Sequence, residues 1–148
     1  MLQRVSGASV SVDGEVVSAI AEGLCILVGI EPEDGLSDVE AAVDKISGLR
    51  VFPDEAGKMN LSVGDVGGGI LLVSQFTLLA DVRKGRRPSF TGAADPGHAQ
   101  PLIDAMAASF ERRGIDTPTG VFGASMTLDL ANEGPVTLVL EVSDGRVS

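Results

Sequence analysis

Cysteine and aromatic residues are scarce in this sequence of 148 residues, which has one cysteine, no tryptophan and no tyrosine. A single cysteine, Cys25, excludes an intrachain disulfide and with it the small secreted folds that depend on such bonds. The only aromatic side chains are five phenylalanines, so the core has to be built from aliphatic residues. A domain of about 150 residues buries roughly 68–70% of its unfolded surface, which is enough for a core without cross-links.

Long hydrophobic runs are also missing. No segment reaches the roughly 18 apolar residues of a membrane-spanning helix, and the longest run, residues 24–30, has the length of a strand. The start of the chain lacks the apolar stretch and cleavage site of a secretion signal. We therefore expect a cytoplasmic protein without a membrane partner.

Basic residues are few, because 11 Lys and Arg stand against 21 Asp and Glu and give a formal net charge of −10. Taken alone, this balance argues against a nucleic-acid partner, since Lys and Arg drive phosphate binding. Four basic residues nevertheless fall within five positions, at Arg83, Lys84, Arg86 and Arg87. Such a run is usually a solvated loop, but it is also compatible with a patch that contacts one end of an RNA.

The hydrophobic pattern predicts about seven strands and two helices in a single domain over residues 1–148. Near-alternation before and after Asp13-Gly14 indicates a hairpin of residues 5–12 and 15–20. Further strands are predicted at residues 24–30, 51–52, 59–63, 70–79, 121–130 and 136–142. The helices interrupt the strands without alternating regularly with them, which is typical of an α+β fold. We expect a mostly antiparallel sheet or partial barrel that is covered by the two helices.

Both predicted helices carry start signals. Ser37 and Glu40 have the spacing of a capping box, and Asp95 followed by Pro96 fits a cap and a first helical position. The expected buried stripes are Val39, Ala42, Val43 and Ile46 in the first helix and Leu102, Ile103, Met106 and Phe110 in the second. The residues from Ser143 onward are expected to be frayed.

Residues for several common chemistries are missing. His98 is the only histidine and lies at the start of a predicted surface helix, so a Ser-His-Asp triad is not expected. One histidine and one cysteine cannot complete a tetrahedral metal site without several carboxylates. The glycines in residues 64–69 precede a strand, whereas a phosphate-binding loop follows one. We therefore expect no metal and no other cofactor.

Polar side chains interrupt the apolar strand predicted at residues 70–79. Alternation places Gln75 and Thr77 on one face and Ser74 and Phe76 on the other. The strand either emerges into solvent here, which the pattern alone slightly favours, or lines a pocket, since buried polar groups need partners. A second anomaly is the pair Gly134-Pro135 between two predicted strands, which on pattern alone indicates a turn with a trans proline.

These two segments resemble the signature motifs of the D-aminoacyl-tRNA deacylase family. Residues 74–78 have the sequence SQFTL and residues 132–137 have NEGPVT, which match the family patterns SQFTL and NxGPxT. Shorter matches follow the family order from the first predicted strand to the last, at residues 3–5, 57–61, 87–90 and 120–124. Both motifs together, correctly placed, are far more specific than either alone.

The resemblance implies a homodimer that hydrolyses the ester between a D-amino acid and tRNA, with active sites at the subunit interface. It implies that Gly134-Pro135 is cis, is held by Arg4 and enters the partner's pocket, where it blocks an L side chain. Because glycine has no side chain to exclude, glycyl-tRNA could also be a substrate. The pocket wall, whose backbone helps to bind the substrate amino group, is implied to include Phe122, Gly123 and Ala124.

For catalysis, the resemblance points to the segment Ser74, Gln75, Phe76 and Thr77. Thr77 is the natural nucleophile, but its hydroxyl would need a nearby base and the sequence offers no obvious one. We favour the alternative, in which Thr77 places the scissile carbonyl and the N–H groups of Phe76 and Thr77 stabilise the oxyanion. The 2′-hydroxyl of the terminal ribose then helps to activate water, and the run from Arg83 to Arg87 contacts phosphates near the acceptor end. No role for DNA is expected.

Three alternatives are compatible with the same sequence. A related deacylase edits a mischarged L-amino acid, but that sister family alters the SQFTL-type motif, which is intact here. A non-catalytic tRNA- or nucleotide-binding module on the same scaffold would bind charged tRNA without releasing the amino acid. A structural dimer with no RNA role is supported only by the acidic charge balance.

Overall fold

The alternating segment at the start of the chain forms a long strand that pairs with three other strands of the main sheet. In a computed structural model, which describes all of residues 1–148, the elements run in the order β1 (Leu2–Val12), β2 (Glu15–Ile20), β3 (Gly23–Val28), α1 (Leu36–Gly48), β4 (Phe52–Pro53), β5 (Met59–Leu61), β6 (Gly69–Ser74), a 3-10 helix (Phe76–Leu79), α2 (Pro96–Arg112), β7 (Thr127–Leu138), β8 (Val142–Ser143) and β9 (Arg146–Val147). Asp13 and Gly14 turn the chain between β1 and β2 with φ values of 51° and 80°, as the Asp-Gly pair predicts.

The main sheet contains five strands and is curled. β1 pairs antiparallel with β2, β3 and β7, and β3 pairs parallel with β6. Residues 116–120 lie along the other side of β6, where the amides of Ile70 and Leu72 donate to the carbonyls of Asp116 and Pro118. The expected mostly antiparallel partial barrel with two helices is therefore confirmed.

The central strands are buried on both faces, which explains their continuous apolar sequences. On β3 and β6, side chains alternate between two clusters. Leu24, Ile26, Ile70 and Leu72 belong to the larger cluster beneath the helices. Cys25, Leu71 and Val73 join Val5, Ala8 and Val10 in a smaller cluster on the other face. Burial raises the pKa of the Cys25 thiol to about 11, in agreement with a core cysteine.

The two helices pack on each other and bury the predicted stripes against the sheet. Asp95 caps α2 as predicted, because its side chain accepts a hydrogen bond from the His98 amide at 3.1 Å. The predicted cap of α1 was wrong, since the helix begins at Leu36 with Gly35 at the cap position. Glu40 instead accepts a hydrogen bond from Ser109 of α2. Neither helix has the length and apolar character needed to cross a bilayer.

The C-terminal residues are tied down instead of frayed, so that prediction was wrong. Asp144 and Gly145 form a turn between β8 and β9, with φ values of 51° and 68°. The Gly145 amide donates to the Asp38 carboxylate at 2.8 Å, and the Gly35 amide does the same at 2.8 Å. These two bonds hold the pKa of Asp38 below its usual value and join the terminal hairpin to the start of α1.

Candidate active site

The SQFTL segment leaves the sheet directly after Ser74. The Gln75 amide makes a last bond to the Val28 carbonyl of β3 at 2.7 Å, and the chain then forms the 3-10 helix. The strand predicted at residues 70–79 was therefore wrong in its second half, and the two alternating faces do not exist there. Local bonds from Leu78 N to Gln75 O and from Ala80 N to Thr77 O replace the sheet ladder.

A glycine at the end of β3 makes room for this 3-10 helix. A Cβ atom on Gly29 would lie 3.1 Å from Leu79 Cγ and 3.3 Å from the carbonyl oxygen of Gln75. These distances are closer than ordinary van der Waals contact, so a side chain here would require Leu79 and the Gln75 carbonyl to shift by a few tenths of an ångström. The segment that carries Thr77 thus lies directly against the end of β3.

Thr77 is exposed to solvent, and its only side-chain partner is Gln75. The Gln75 Nε2 group donates a hydrogen bond to Thr77 Oγ1. An amide cannot take up the proton of a hydroxyl, so Gln75 does not activate Thr77 as a nucleophile. With its oxygen accepting from Gln75, the Thr77 hydroxyl is free to donate its own hydrogen to a substrate oxygen.

The turn that contains Phe122, Gly123 and Ala124 lies at the same end of the sheet. Thr119 pairs parallel with Leu72 of β6, and the Gly120 amide donates to the Leu72 carbonyl at 3.0 Å. Residues 121–124 therefore follow the same end of this parallel pair as the 3-10 helix. They form a turn, closed by a bond of 3.1 Å from Ala124 N to Val121 O, with Gly123 at φ 76°. The strand predicted at residues 121–130 starts only at Thr127.

The NxGPxT segment is a bulge within a continuous strand. Gln3 of β1 pairs with Thr137 and Val5 pairs with Asn132, so that Arg4 alone faces the four residues 133–136. These residues leave the ladder while β7 continues on both sides of them, which corrects the prediction of two separate strands. Gly134 and Pro135 are exposed at the bulge, and the bond between them is cis.

Arg4 lies beneath this bulge. Its Nε group donates to the Glu133 carbonyl at 3.3 Å, and its Nη1 group donates to the Val51 carbonyl at 2.6 Å. A Cβ atom on Gly134 would lie 2.8 Å from Arg4 Nη2. The guanidinium therefore connects the start of the bulge to the segment that follows α1.

Three further side chains at the base of the bulge, Gln3, Asn132 and Thr137, were not singled out from the sequence. The side-chain amide of Asn132 has four hydrogen-bond partners when it is oriented with Nδ2 toward two backbone carbonyls. Nδ2 then donates to Val136 O at 3.1 Å and to Arg4 O at 3.0 Å, while Oδ1 accepts from Thr137 Oγ1 at 2.9 Å and Gln3 Nε2 at 3.0 Å. The sequence did contain a signal for two of them, because Asn132 and Thr137 are the first and last residues of the NxGPxT motif.

The two motif segments belong to different parts of the sheet within one protomer, since one follows β6 and the other lies in β7. β7, β1, β3 and β6 are neighbours in that order, so three strand spacings, roughly 14 Å along the sheet, separate the first strand from the last. No hydrogen bond joins residues 133–136 to the 3-10 helix. The fold therefore brings Thr77 and the turn at residues 121–124 to one end of the sheet but leaves Gly134-Pro135 elsewhere.

The basic run forms an exposed loop beside the 3-10 helix. Asp81 and Ser89 exchange two backbone hydrogen bonds at the base of the loop, and Phe90 packs edge-on against Phe76 with ring centroids 5.1 Å apart. Arg83 makes a bidentate pair with Asp81, at 2.9 and 2.6 Å, which raises the pKa of Arg83 and lowers that of Asp81. The other three cations of the loop, Lys84, Arg86 and Arg87, make no ion pair within the chain.

Known proteins share both this sequence and this fold. The family model described as D-Tyr-tRNA(Tyr) deacylase matches residues 1–141. The chain belongs to this family. It is 56% identical over 147 residues to a D-aminoacyl-tRNA deacylase of Chloroflexus aurantiacus, which covers 99% of this chain and 92% of that protein. A D-aminoacyl-tRNA deacylase of Thermus aquaticus is 53% identical over 144 residues, or 97% of this chain and 95% of that protein.

Two solved structures resemble this member of the deacylase family. One, described as a c-Myc DNA unwinding element binding protein, has a TM-score of 0.85 at 42% identity and covers 93% of each chain. The other, described as a probable eukaryotic D-amino acid tRNA deacylase, has a TM-score of 0.78 and covers 90% of this chain and 93% of that one. Its identity of 17% means that it supports the fold alone.

Other features of this family member lie away from the candidate catalytic segment. His98 is exposed, and its Nε2 atom lies 2.8 Å from the Asp34 carbonyl at the start of α1. A cleft of about 590 Å³ lies between β3, α1 and the chain after β7, and the 3-10 helix contributes Leu78 and Leu79 to its wall. None of the candidate catalytic or substrate-binding residues lines this cleft.

Proposed function

We propose that this protein hydrolyses the ester bond of D-aminoacyl-tRNA and releases the free D-amino acid and tRNA. The observation that carries this proposal is the position of the SQFTL segment. It forms an exposed turn beside two other features, the cationic loop of residues 81–89 and the turn at residues 121–124. Membership of the deacylase family supports the reaction class, a carboxylic-ester hydrolysis that removes wrongly charged amino acids. Since charged tRNA is the substrate, we place the reaction in the cytoplasm.

We propose that the enzyme is a homodimer in which the bulge of one subunit completes the site of the other. Within one protomer the bulge lies on β7, three strand spacings along the sheet from β6, and makes no hydrogen bond to the 3-10 helix. β7 pairs only with β1, so its other edge offers unpaired backbone groups of the kind that another chain can cover. Exposed apolar side chains lie where β7 ends, at Leu138 and Val139, of which Val139 is 74% exposed. Both features support a partner on this side of the molecule.

In this arrangement, discrimination between D- and L-amino acids works by exclusion. The carbonyl groups of Gly134 and Pro135 from the partner would stand where an L side chain has to go, whereas a D side chain would point outward. The contact from Arg4 to Glu133 supports a fixed position of the bulge. An excluding surface needs no contact with the side chain of the substrate, so many D-amino acids would be accepted. Glycyl-tRNA, such as glycine mischarged on tRNA-Ala, would also be a substrate.

The proposed chemistry is a direct attack of water on the ester. Backbone groups of Phe122, Gly123 and Ala124 would bind the substrate amino group, and Thr77 would donate a hydrogen bond that places the carbonyl. The N–H groups of Phe76 and Thr77 would stabilise the oxyanion. The 2′-hydroxyl of the terminal ribose would help to take a proton from the attacking water. The bond from the carbonyl carbon to the 3′-oxygen then breaks, and that oxygen leaves with a proton.

The acceptor end of the tRNA would lie along the cationic loop. Lys84, Arg86 and Arg87 are exposed and have no acidic partner, and the Phe76–Phe90 contact places the base of the loop beside the proposed oxyanion site. The net charge of −10 would repel phosphates elsewhere on the surface. Binding would therefore be confined to one end of the RNA.

The experiment that tests the proposal is a deacylation time course on D-tyrosyl-tRNA and L-tyrosyl-tRNA, side by side and without added metal. We expect rapid loss of the D ester, while the L ester decays at the rate of a control without enzyme. Loss of the L ester alone would indicate a deacylase that edits mischarged L-amino acids. Decay of both esters at the control rate would contradict the proposal and favour a non-catalytic tRNA-binding module.

A further inference from the structure

We propose that Asn132, together with Gln3 and Thr137, forms a side-chain clamp that sets the position of the Gly134-Pro135 bulge and thereby the preference for D over L substrates. This inference rests on the proposed deacylase function. None of the three side chains is expected to touch the substrate. They act as positioning residues through the bulge that they hold.

The need for a clamp follows from the strand register. Four residues of β7 stand opposite one residue of β1, so the bulge has no ladder bonds of its own to fix its height. Arg4 holds the start of the bulge through the Glu133 carbonyl, at 3.3 Å. Its end, at Val136, depends on the Asn132 side chain, which binds the Val136 carbonyl at 3.1 Å.

Asparagine is the side chain whose chemistry fits this position. Its nitrogen offers two donors, which meet the carbonyls of Val136 and Arg4, and its oxygen offers two acceptor sites, which meet Thr137 and Gln3. All four hydrogen-bonding positions of the Asn132 amide are used, and these bonds join both ends of the bulge to β1. Aspartate has the same shape but no donors, so it would place a carboxylate oxygen against two carbonyl oxygens.

Exclusion of an L side chain depends on the position of the bulge to within a fraction of an ångström. A misplacement of about 1 Å can change a rate by as much as about 100-fold. The proposed cleavage groups belong to the other subunit and do not depend on the clamp. Loosening the bulge should therefore admit L substrates while D substrates are still hydrolysed. This separation distinguishes a positioning role from a merely structural one.

The test compares Asn132→Asp and Thr137→Val with wild type for initial rates on D- and L-tyrosyl-tRNA. We expect the D rate to stay within about threefold and the D-to-L rate ratio to fall about tenfold or more. The fall should be smaller for Thr137→Val, which removes one of the four bonds to Asn132 and a longer one from Gln3, at 3.3 Å. Thr127→Val is the matched control, because Thr127 is exposed on the same strand and makes no side-chain hydrogen bond. It should keep the wild-type ratio.

The outcomes separate this inference from the proposed function. If wild type hydrolyses neither ester, the proposed function fails and the clamp fails with it. If wild type discriminates and both folded clamp variants keep its ratio, only the clamp is overturned. An equal loss of both rates in Thr137→Val, with an unchanged melting temperature, would also overturn it. Thr137→Val keeps the test decisive even where Asn132→Asp does not fold.

Discussion

At the scale of single residues, the catalytic question is what Thr77 does with its hydroxyl. The Thr77 oxygen accepts a hydrogen bond from the amide of Gln75, and no carboxylate, imidazole or amine of the chain hydrogen-bonds to it. The group that faces the Thr77 hydroxyl is thus a hydrogen-bond donor, whereas a nucleophilic hydroxyl would need a base in that position. This favours a role in placing the carbonyl over a covalent role.

We therefore expect Thr77→Ala to lower turnover by no more than about tenfold, because one positioning hydrogen bond is lost. Removal of a true nucleophile costs far more, about 10⁶-fold in a serine protease. Single-turnover deacylation of D-tyrosyl-tRNA measures the effect, with Thr77→Ser as the control that keeps the hydroxyl. Loss of nearly all turnover with unchanged folding and tRNA binding would instead make Thr77 the nucleophile.

At the scale of elements, the cationic loop gives the sharpest prediction about RNA. Changing Arg86 and Arg87 together to Ala should weaken tRNA binding and reduce the slope of log affinity against log salt by roughly 1.4 to 1.8, at 0.7 to 0.9 per phosphate contact. Filter binding at several salt concentrations measures this slope. The matched control changes Arg112 and Arg113 to Ala, which removes the same charge at the end of α2, where both pair with Glu40. An unchanged slope in the loop variant would indicate an ordinary solvated loop.

Local pattern predicted the elements whose structure is decided locally. The Asp-Gly hairpin, the stripes of both helices and the Asp95 cap were confirmed, because turn chemistry and helical periodicity fix them within a few residues. The 3-10 helix was missed, since its residues are as apolar as those of the strand before it. What ends the strand is the Gln75 bond to β3 and the space left by Gly29, and both are tertiary features.

The bulge shows the same limit on the site itself. Judged from the local sequence alone, Gly134-Pro135 predicts the end of a strand, yet β7 pairs with β1 on both sides of this pair. Only the register with β1 shows that the strand continues. Resemblance to the family supplied the residues of the site, but the hydrogen bonds around Asn132 could be found only from the fold.

At the scale of the whole molecule, the decisive property is the proposed dimer. Val139→Asp would place a charge on the apolar end of β7 and should yield monomers, because burying an unpaired charge at an interface is costly. We expect a halved mass in light scattering, with loss of discrimination between D- and L-tyrosyl-tRNA. Val16→Asp is the control, since Val16 is 64% exposed on β2. A monomeric wild type that still discriminates would contradict the cross-subunit site.

The burial of Cys25 has a practical consequence for such experiments. Because burial raises the pKa of Cys25 to about 11, nearly all of this thiol is protonated at pH 7, and the core shields it from solvent. A cysteine introduced on the surface, at Lys84 or Pro135 for example, would be the only site to react readily with maleimide reagents. A variant with one such cysteine can therefore carry a single fluorescent or spin label while Cys25 is left in place.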